Sequence, residues 1–162
     1  MGFIDLSSAL DRHFGSLGVG LNEISTQLTL SAADQATASG PCAERALKCL
    51  NQLCAQLGVS NALRLEIDSA IPEHVGLGSG TQLSLAIGVA LSHFYQLNLS
   101  VREVASLTDR GARSGIGIGV FEDGGFVVDG GRGPATKTPP LLSRIAVPED
   151  WRFLLVFDRR GQ

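Results

Sequence analysis

The stretch "IPEHVGLGSGTQL" (residues 71–83) sets Gly76, Gly78 and Gly80 around Leu77 and Ser79 and closes on Thr81. An apolar run follows at once. A glycine-rich loop leading into a helix start is suited to holding an anion. Unpaired N–H groups and the positive end of the helix dipole point at the ligand, and glycine lets its oxygens approach the backbone. Ser79 and Thr81 can cap the helix and also donate to a phosphate, and His74 is either a further donor or a solvated loop residue. The plainer alternative is a tight turn with an N-cap. Two common phosphate loops are excluded. A G-x-G-x-x-G fingerprint fails at Thr81, and from Gly115 or Gly117 it fails at Val120 or Glu122. A Walker A loop needs Gly-Lys-Ser/Thr, and no lysine lies between Lys48 and Lys137.

The elements around this loop can be read from periodicity. Residues 1–18 read as a loop and Val19–Leu30 as a strand. Pro41–Leu57 carries a helical apolar stripe, with Pro41 in its first turn and Gly58 as its C-cap. Residues 62–71 alternate Leu63, Leu65, Ile67 against Arg64, Glu66, Asp68, a half-buried strand. Thr81–Leu97 is apolar on nearly every face, which makes it a central helix, with His93 expected to pack within the protein. Residues 100–111 form a helix opened by a Ser100/Glu103 capping box and closed by Gly111. A strand near Ile116–Glu122, a turn at Asp123–Gly125 and a strand Phe126–Asp129 read as a hairpin. A proline-rich connector (134–148) leads to a buried strand at 151–157. The order β-α-β-α-α-ββ-β implies an α+β fold.

Composition narrows the partners. The 162 residues are 44% hydrophobic, enough for one core. A net charge of −3 argues against nucleic acid. Of the thirteen basic residues two are Lys, and arginine suits planar carboxylate or phosphate contacts. Cys42, Cys49 and Cys54 form no C-x-x-C and read as free thiols in a helix. No signal peptide is expected, and Gly88 and His93 interrupt the longest apolar run, so the expectation is a cytoplasmic protein with no membrane contact.

The loop resembles the phosphate-binding motif of the GHMP small-molecule kinase superfamily. More narrowly, residues 12–18, "IPEHVGLGSGTQL", "RGARSGIGIGVFEDGGFVVDGG" (110–131) and the final "FDRRGQ" resemble its β-ribofuranosylaminobenzene 5′-phosphate synthase branch. The resemblance implies a GHMP-kinase N-terminal-domain-like two-layer sandwich, a mixed sheet with helices packed on one face. Family enzymes are about twice as long and open with an Arg-Leu-His-type segment before the position of Gly2. Residues 1–162 are therefore expected to be one N-terminal domain, a fragment lacking the C-terminal domain.

The implied reaction condenses phosphoribosyl pyrophosphate with 4-aminobenzoate or a related benzoate, releasing CO2 and pyrophosphate, in methanopterin biosynthesis. On this reading Gly76, Leu77, Gly78, Ser79, Gly80 and Thr81 hold a phosphate or pyrophosphate, with His74 as a further donor. Arg110 and Arg113 pair with a phosphate or the benzoate carboxylate, and Ser114 and Gly115 belong to the same family segment. Glu122, Asp123 and Asp129 face magnesium or the developing oxocarbenium. The alternative for all three is a solvated hairpin, and for Asp123 that is the favoured reading. Asp5 and Arg12 match family positions near the substrate, with a surface role as the alternative. Mg²⁺ is the expected cation, and no organic cofactor is expected. The GHMP kinase alternative, with ATP as donor, wants a carboxylate after Ser114-Gly115, where Ile116-Gly117 stand. A third reading is a non-catalytic binding module that dimerises through an open sheet edge.

Overall fold

A computed structural model of the chain describes residues 2–5 and 12–157. The first half runs β1 (Gly2–Asp5), β2 (Phe14–Val19), β3 (Gln27–Ala32), β4 (Thr37–Ser39), α1 (Ala43–Leu57) and β5 (Leu63–Ser69). The second half runs α2 (Ser79–Phe94), α3 (Val101–Leu107), α4 (Ile116–Asp123), β6 (Phe126–Asp129) and β7 (Leu141–Ile145). The fold is α+β, with an antiparallel sheet β1-β2-β6-β7 and a mixed sheet β3-β5-β4.

The alternation of β5 buries Leu63, Leu65 and Ile67 and exposes Arg64, Glu66 and Asp68. Its buried face meets Ala46, Leu50, Leu53 and Cys54 of α1 and Leu83, Ile87 and Leu91 of α2. On its other side α2 uses Leu85 to join Val104, Ala105 and Ile118 in a second cluster. Helix α2 is thus central, as its all-round apolarity predicts. Gly58 closes α1 in the left-handed region at φ 66. Ser100 and Glu103 form the expected capping box on α3, and the two bonds from Ser100 hold the Glu103 carboxyl below its ordinary range. The three cysteines are free thiols.

Several expectations are corrected. The first eighteen residues are not all loop. β1 pairs with β2, Gly2 opposite Leu17, and Leu6–Asp11 lie outside the described residues. The strand read over Val19–Leu30 is two strands, β2 ending at Val19 and β3 opening at Gln27. Helix α3 ends at Leu107, four residues before Gly111. His93 is exposed rather than packed.

The largest correction is Ile116–Glu122, which is helix, so no hairpin forms and β6 pairs with β2 and β7. Alternating glycine and isoleucine imitates strand periodicity. The glycines in fact serve close helix packing: a Cβ at Gly117 would lie 2.9 Å from Thr81, and one at Gly119 2.7 Å from Leu141. The connector 134–148 contains β7. Residues 151–157 form no paired strand and are largely exposed, because no described strand lies beside them.

Candidate functional site

The loop between β5 and α2 is shaped by its glycines. Gly76 and Gly78 sit at φ 79 and 74, the left-handed region where a side chain is strained. Gly78 is the N-cap of α2, and its carbonyl accepts from Thr81 N (3.0 Å) and Gln82 N (3.1 Å). A Cβ at either glycine would meet no heavy atom within 4 Å, so the loop's outer face is open to a ligand. The loop is anchored at both ends. Arg45 Nη1 donates to Glu73 Oε1 at 2.6 Å, and that bond holds the Glu73 carboxyl below its ordinary range. Gln82 Nε2 donates to the Gly117 carbonyl at 2.7 Å, tying the first turn of α2 to α4. His74 has its side chain 92% exposed, which favours the solvated reading.

Gly76, Leu77 and Gly78 form one wall of a cavity of about 370 Å³. Its other walls are mainly apolar, with Ile24, Ile71, Ile116, Val120 and Phe121 among them, and Phe153 and Leu155 also reach it. Residues 151–157 therefore alternate: Phe153 and Leu155 line the cavity, whereas Leu154 and Val156 are 89% and 85% exposed.

The structure disperses the other predicted residues. Asp129 is 1% exposed. Its carboxylate accepts from the backbone N–H groups of Ser16 (3.1 Å), Gly115 (2.8 Å) and Gly131 (2.9 Å) and from the hydroxyls of Ser16 and Ser114. It holds β2, the start of α4 and the turn after β6 together, so its expected place facing a ligand is corrected to an architectural one. Ser114 and Gly115 serve the same knot. Arg12 is likewise committed, donating to the carbonyls of Gly130 and Gly131. Glu122 Oε2 lies 3.9 Å from Arg102 Nη2. Arg113 is exposed and lines neither cavity. The side chain of Asp5 and residues 158–162 of the final motif lie outside what the structure describes. Among the described residues no three His, Cys, Asp or Glu side chains cluster to hold a metal. Among the described residues no helix is long and apolar enough to cross a membrane.

Arg45 and Lys48, which the sequence reading passed over, join Arg110 at a second cavity of about 250 Å³ between α1 and α2. A Cβ at Gly80 would strike the Arg45 guanidinium and lie 3.5 Å from Arg110 Nη1, so both heads converge over the first turn of α2. The signal was present in the helical period: Arg45, Lys48 and Gln52 stand at i, i+3 and i+7 on α1. Cys49 also lines this cavity. Burial pushes its thiol up, against smaller downward effects of Ser84, Arg110 and Arg45.

Comparison with known proteins places the whole. The family described as GHMP kinases N terminal domain matches residues 44–124. β-Ribofuranosylphenol 5′-phosphate synthase of Methanothermobacter thermautotrophicus is 32% identical over 94% of this chain and 53% of its own length. The Archaeoglobus fulgidus protein of that name is 34% identical over 98% and 54%. The chain thus spans about half the length of these curated relatives. Among solved structures, L. major mevalonate kinase in complex with R-mevalonate aligns at TM-score 0.50 and 21% identity, over 78% of this chain and 45% of that one. 4-(Cytidine 5′-diphospho)-2C-methyl-D-erythritol kinase aligns at 0.50 and 18%, over 83% and 45%. These two likenesses bear on the fold.

Proposed function

The chain belongs to the GHMP kinase family through its N-terminal domain, and we propose that it serves as the N-terminal half of a decarboxylating phosphoribosyl transferase. The observation that carries this reading is the apolar cavity walled by the glycine loop itself. An aromatic ring and a phosphorylated leaving group then have adjoining places, an apolar one and an anion-binding one. The donor is phosphoribosyl pyrophosphate. The acceptor is a 4-substituted benzoate; the relatives' name specifies a phenol product, which points to the 4-hydroxy acid beside 4-aminobenzoate.

In the proposed reaction the bond from ribose C1 to pyrophosphate breaks, and the electron pair leaves with pyrophosphate. The ring carbon bearing the carboxylate supplies a pair to C1. Carbon dioxide then departs, and its former bonding pair restores the aromatic ring. The N–H groups at the start of α2 and the open faces of Gly76 and Gly78 receive the pyrophosphate. Magnesium enters as part of the pyrophosphate substrate. Neither Arg113 nor Glu122 lines the cavity, so the roles expected for them at the benzoate carboxylate and at the developing positive charge form no part of this reading. An apolar cavity also favours loss of the carboxylate, since a buried charge costs more than neutral CO2.

The test uses the full-length protein with phosphoribosyl pyrophosphate and carboxyl-labelled 4-hydroxybenzoate or 4-aminobenzoate. Labelled CO2 and one equivalent of pyrophosphate are expected. ATP-dependent phosphorylation of an alcohol without CO2 release would sink this reading in favour of a kinase. Gly78→Asn keeps a residue that tolerates positive φ and fills the open face of the loop. It should lower kcat/KM for the donor by roughly tenfold or more.

A further inference from the structure

The groove between α1 and α2 has no part in the reaction as proposed so far, yet it concentrates positive charge. Arg45, Lys48 and Arg110 line it, and no carboxylate does. Among the described residues only Arg45 of the three has a carboxylate partner, Glu73, through Nη1. Arg110 has no carboxylate partner among the described residues. Its Nε is the one buried side-chain polar atom without a hydrogen-bond partner among the described residues. A buried, unpaired donor on a charged group is costly and calls for an acceptor. The nearby hydroxyls donate elsewhere, Ser84 Oγ to the Gly80 carbonyl at 2.9 Å and Thr108 Oγ1 to that of Val104 at 3.1 Å, and neither oxygen accepts from Arg110 Nε. What the groove lacks is an anion with several acceptor oxygens.

We infer that this groove is a phosphomonoester pocket, distinct from the glycine loop, and that it takes the 5′-phosphate of the sugar donor. The second half of this statement rests on the transferase reading above. The charge sets the class of ligand. Two guanidinium forks and an ammonium match a phosphate dianion, with three acceptor oxygens, better than a carboxylate with two. The volume, about 250 Å³, has room for a phosphate with its ester carbon. Two sites flanking one helix start also suit a donor with a phosphate at each end. The pyrophosphate end meets the open loop face, the monoester end meets the groove, and the ribose spans the first turn of α2.

The experiment titrates the 162-residue chain with ribose 5-phosphate, inorganic phosphate and benzoate, by calorimetry and ³¹P NMR. Wild type should bind ribose 5-phosphate, with benzoate a poor competitor. Arg110→Gln and, separately, the surface change Lys48→Gln should each weaken binding roughly tenfold. Arg110→Lys should restore part of it, and thermal melts check that each variant folds. Unchanged affinity in both Gln variants would overturn the pocket, as would benzoate competing on equal terms with ribose 5-phosphate. The two proposals fail separately. Arg110-dependent binding with no CO2 release from the full-length protein leaves the pocket and removes the transferase. CO2 release with an unaltered donor KM in both Gln variants does the reverse.

Discussion

Five donors converge on the Asp129 carboxylate, three of them backbone N–H groups. Ser16 and Ser114, whose hydroxyls lie 2.6 Å apart, complete the knot. A neutral amide in this place would keep one acceptor and set an NH2 against donors. Asp129→Asn should therefore cost about 3 kcal/mol of stability, read from urea unfolding midpoints. A variant that unfolds like wild type but loses the reaction would return Asp129 to the substrate. The contrast with Arg110 is instructive, since one buried polar group is saturated and the other is left wanting. Residue type alone could not separate them. Asp129 and Arg110 both stand in a glycine-rich segment, and their roles depend on which backbone amides the fold brings within reach.

At the scale of elements, helix packing depends on glycines that sequence patterns describe poorly. A Cβ on Gly88 of α2 would run into Val104 Cγ1 of α3. Gly88→Ala gains about 1 kcal/mol of helix propensity but forces these helices apart, and a net loss of about 1–2 kcal/mol is expected. Val104→Ala makes room, so the double variant should be at least about 1 kcal/mol more stable than the two single losses predict. Strict additivity in denaturant melts would show that the helices do not meet there. The same principle explains what was legible. β5, α1 and α2 announce themselves because one face of each is apolar at its own period. In α4, glycines at 115, 117 and 119 leave Ile116 and Ile118 in a period of two, a strand signal. Helix wins because bare glycine backbone lets α4 approach Thr81, Leu141 and β2 together, a tertiary fact. The glycine loop before α2 was legible since its backbone geometry is local. The groove of Arg45, Lys48 and Arg110 was not, because it needs α1 and the end of α3 side by side.

At the scale of the molecule, the apolar surface is unevenly spread. Leu142 and Ile145 of β7 are exposed, and so are Trp151, Leu154, Val156 and Phe157 in the segment that follows. β7 is also an edge of its sheet among the described residues, with one row of backbone groups unpaired. An open edge beside exposed apolar side chains is a template for strand addition. Residues 153–156 add to it, with Phe153 and Leu155 turned to the cavity and Leu154 and Val156 turned outward. In a longer protein this side would be where further chain docks. With the 162-residue chain alone, a second copy has the same surface to offer. Sedimentation velocity should therefore show mass-action self-association as concentration rises. Placing charge on the outward row, Leu154→Asp with Ile145→Lys, should return the chain to monomer without shifting its melting temperature by more than a few degrees, since neither side chain is buried. A wild-type chain that stays monomeric at every concentration would mean that this edge is closed to strand addition. The docking argument would then fall with it.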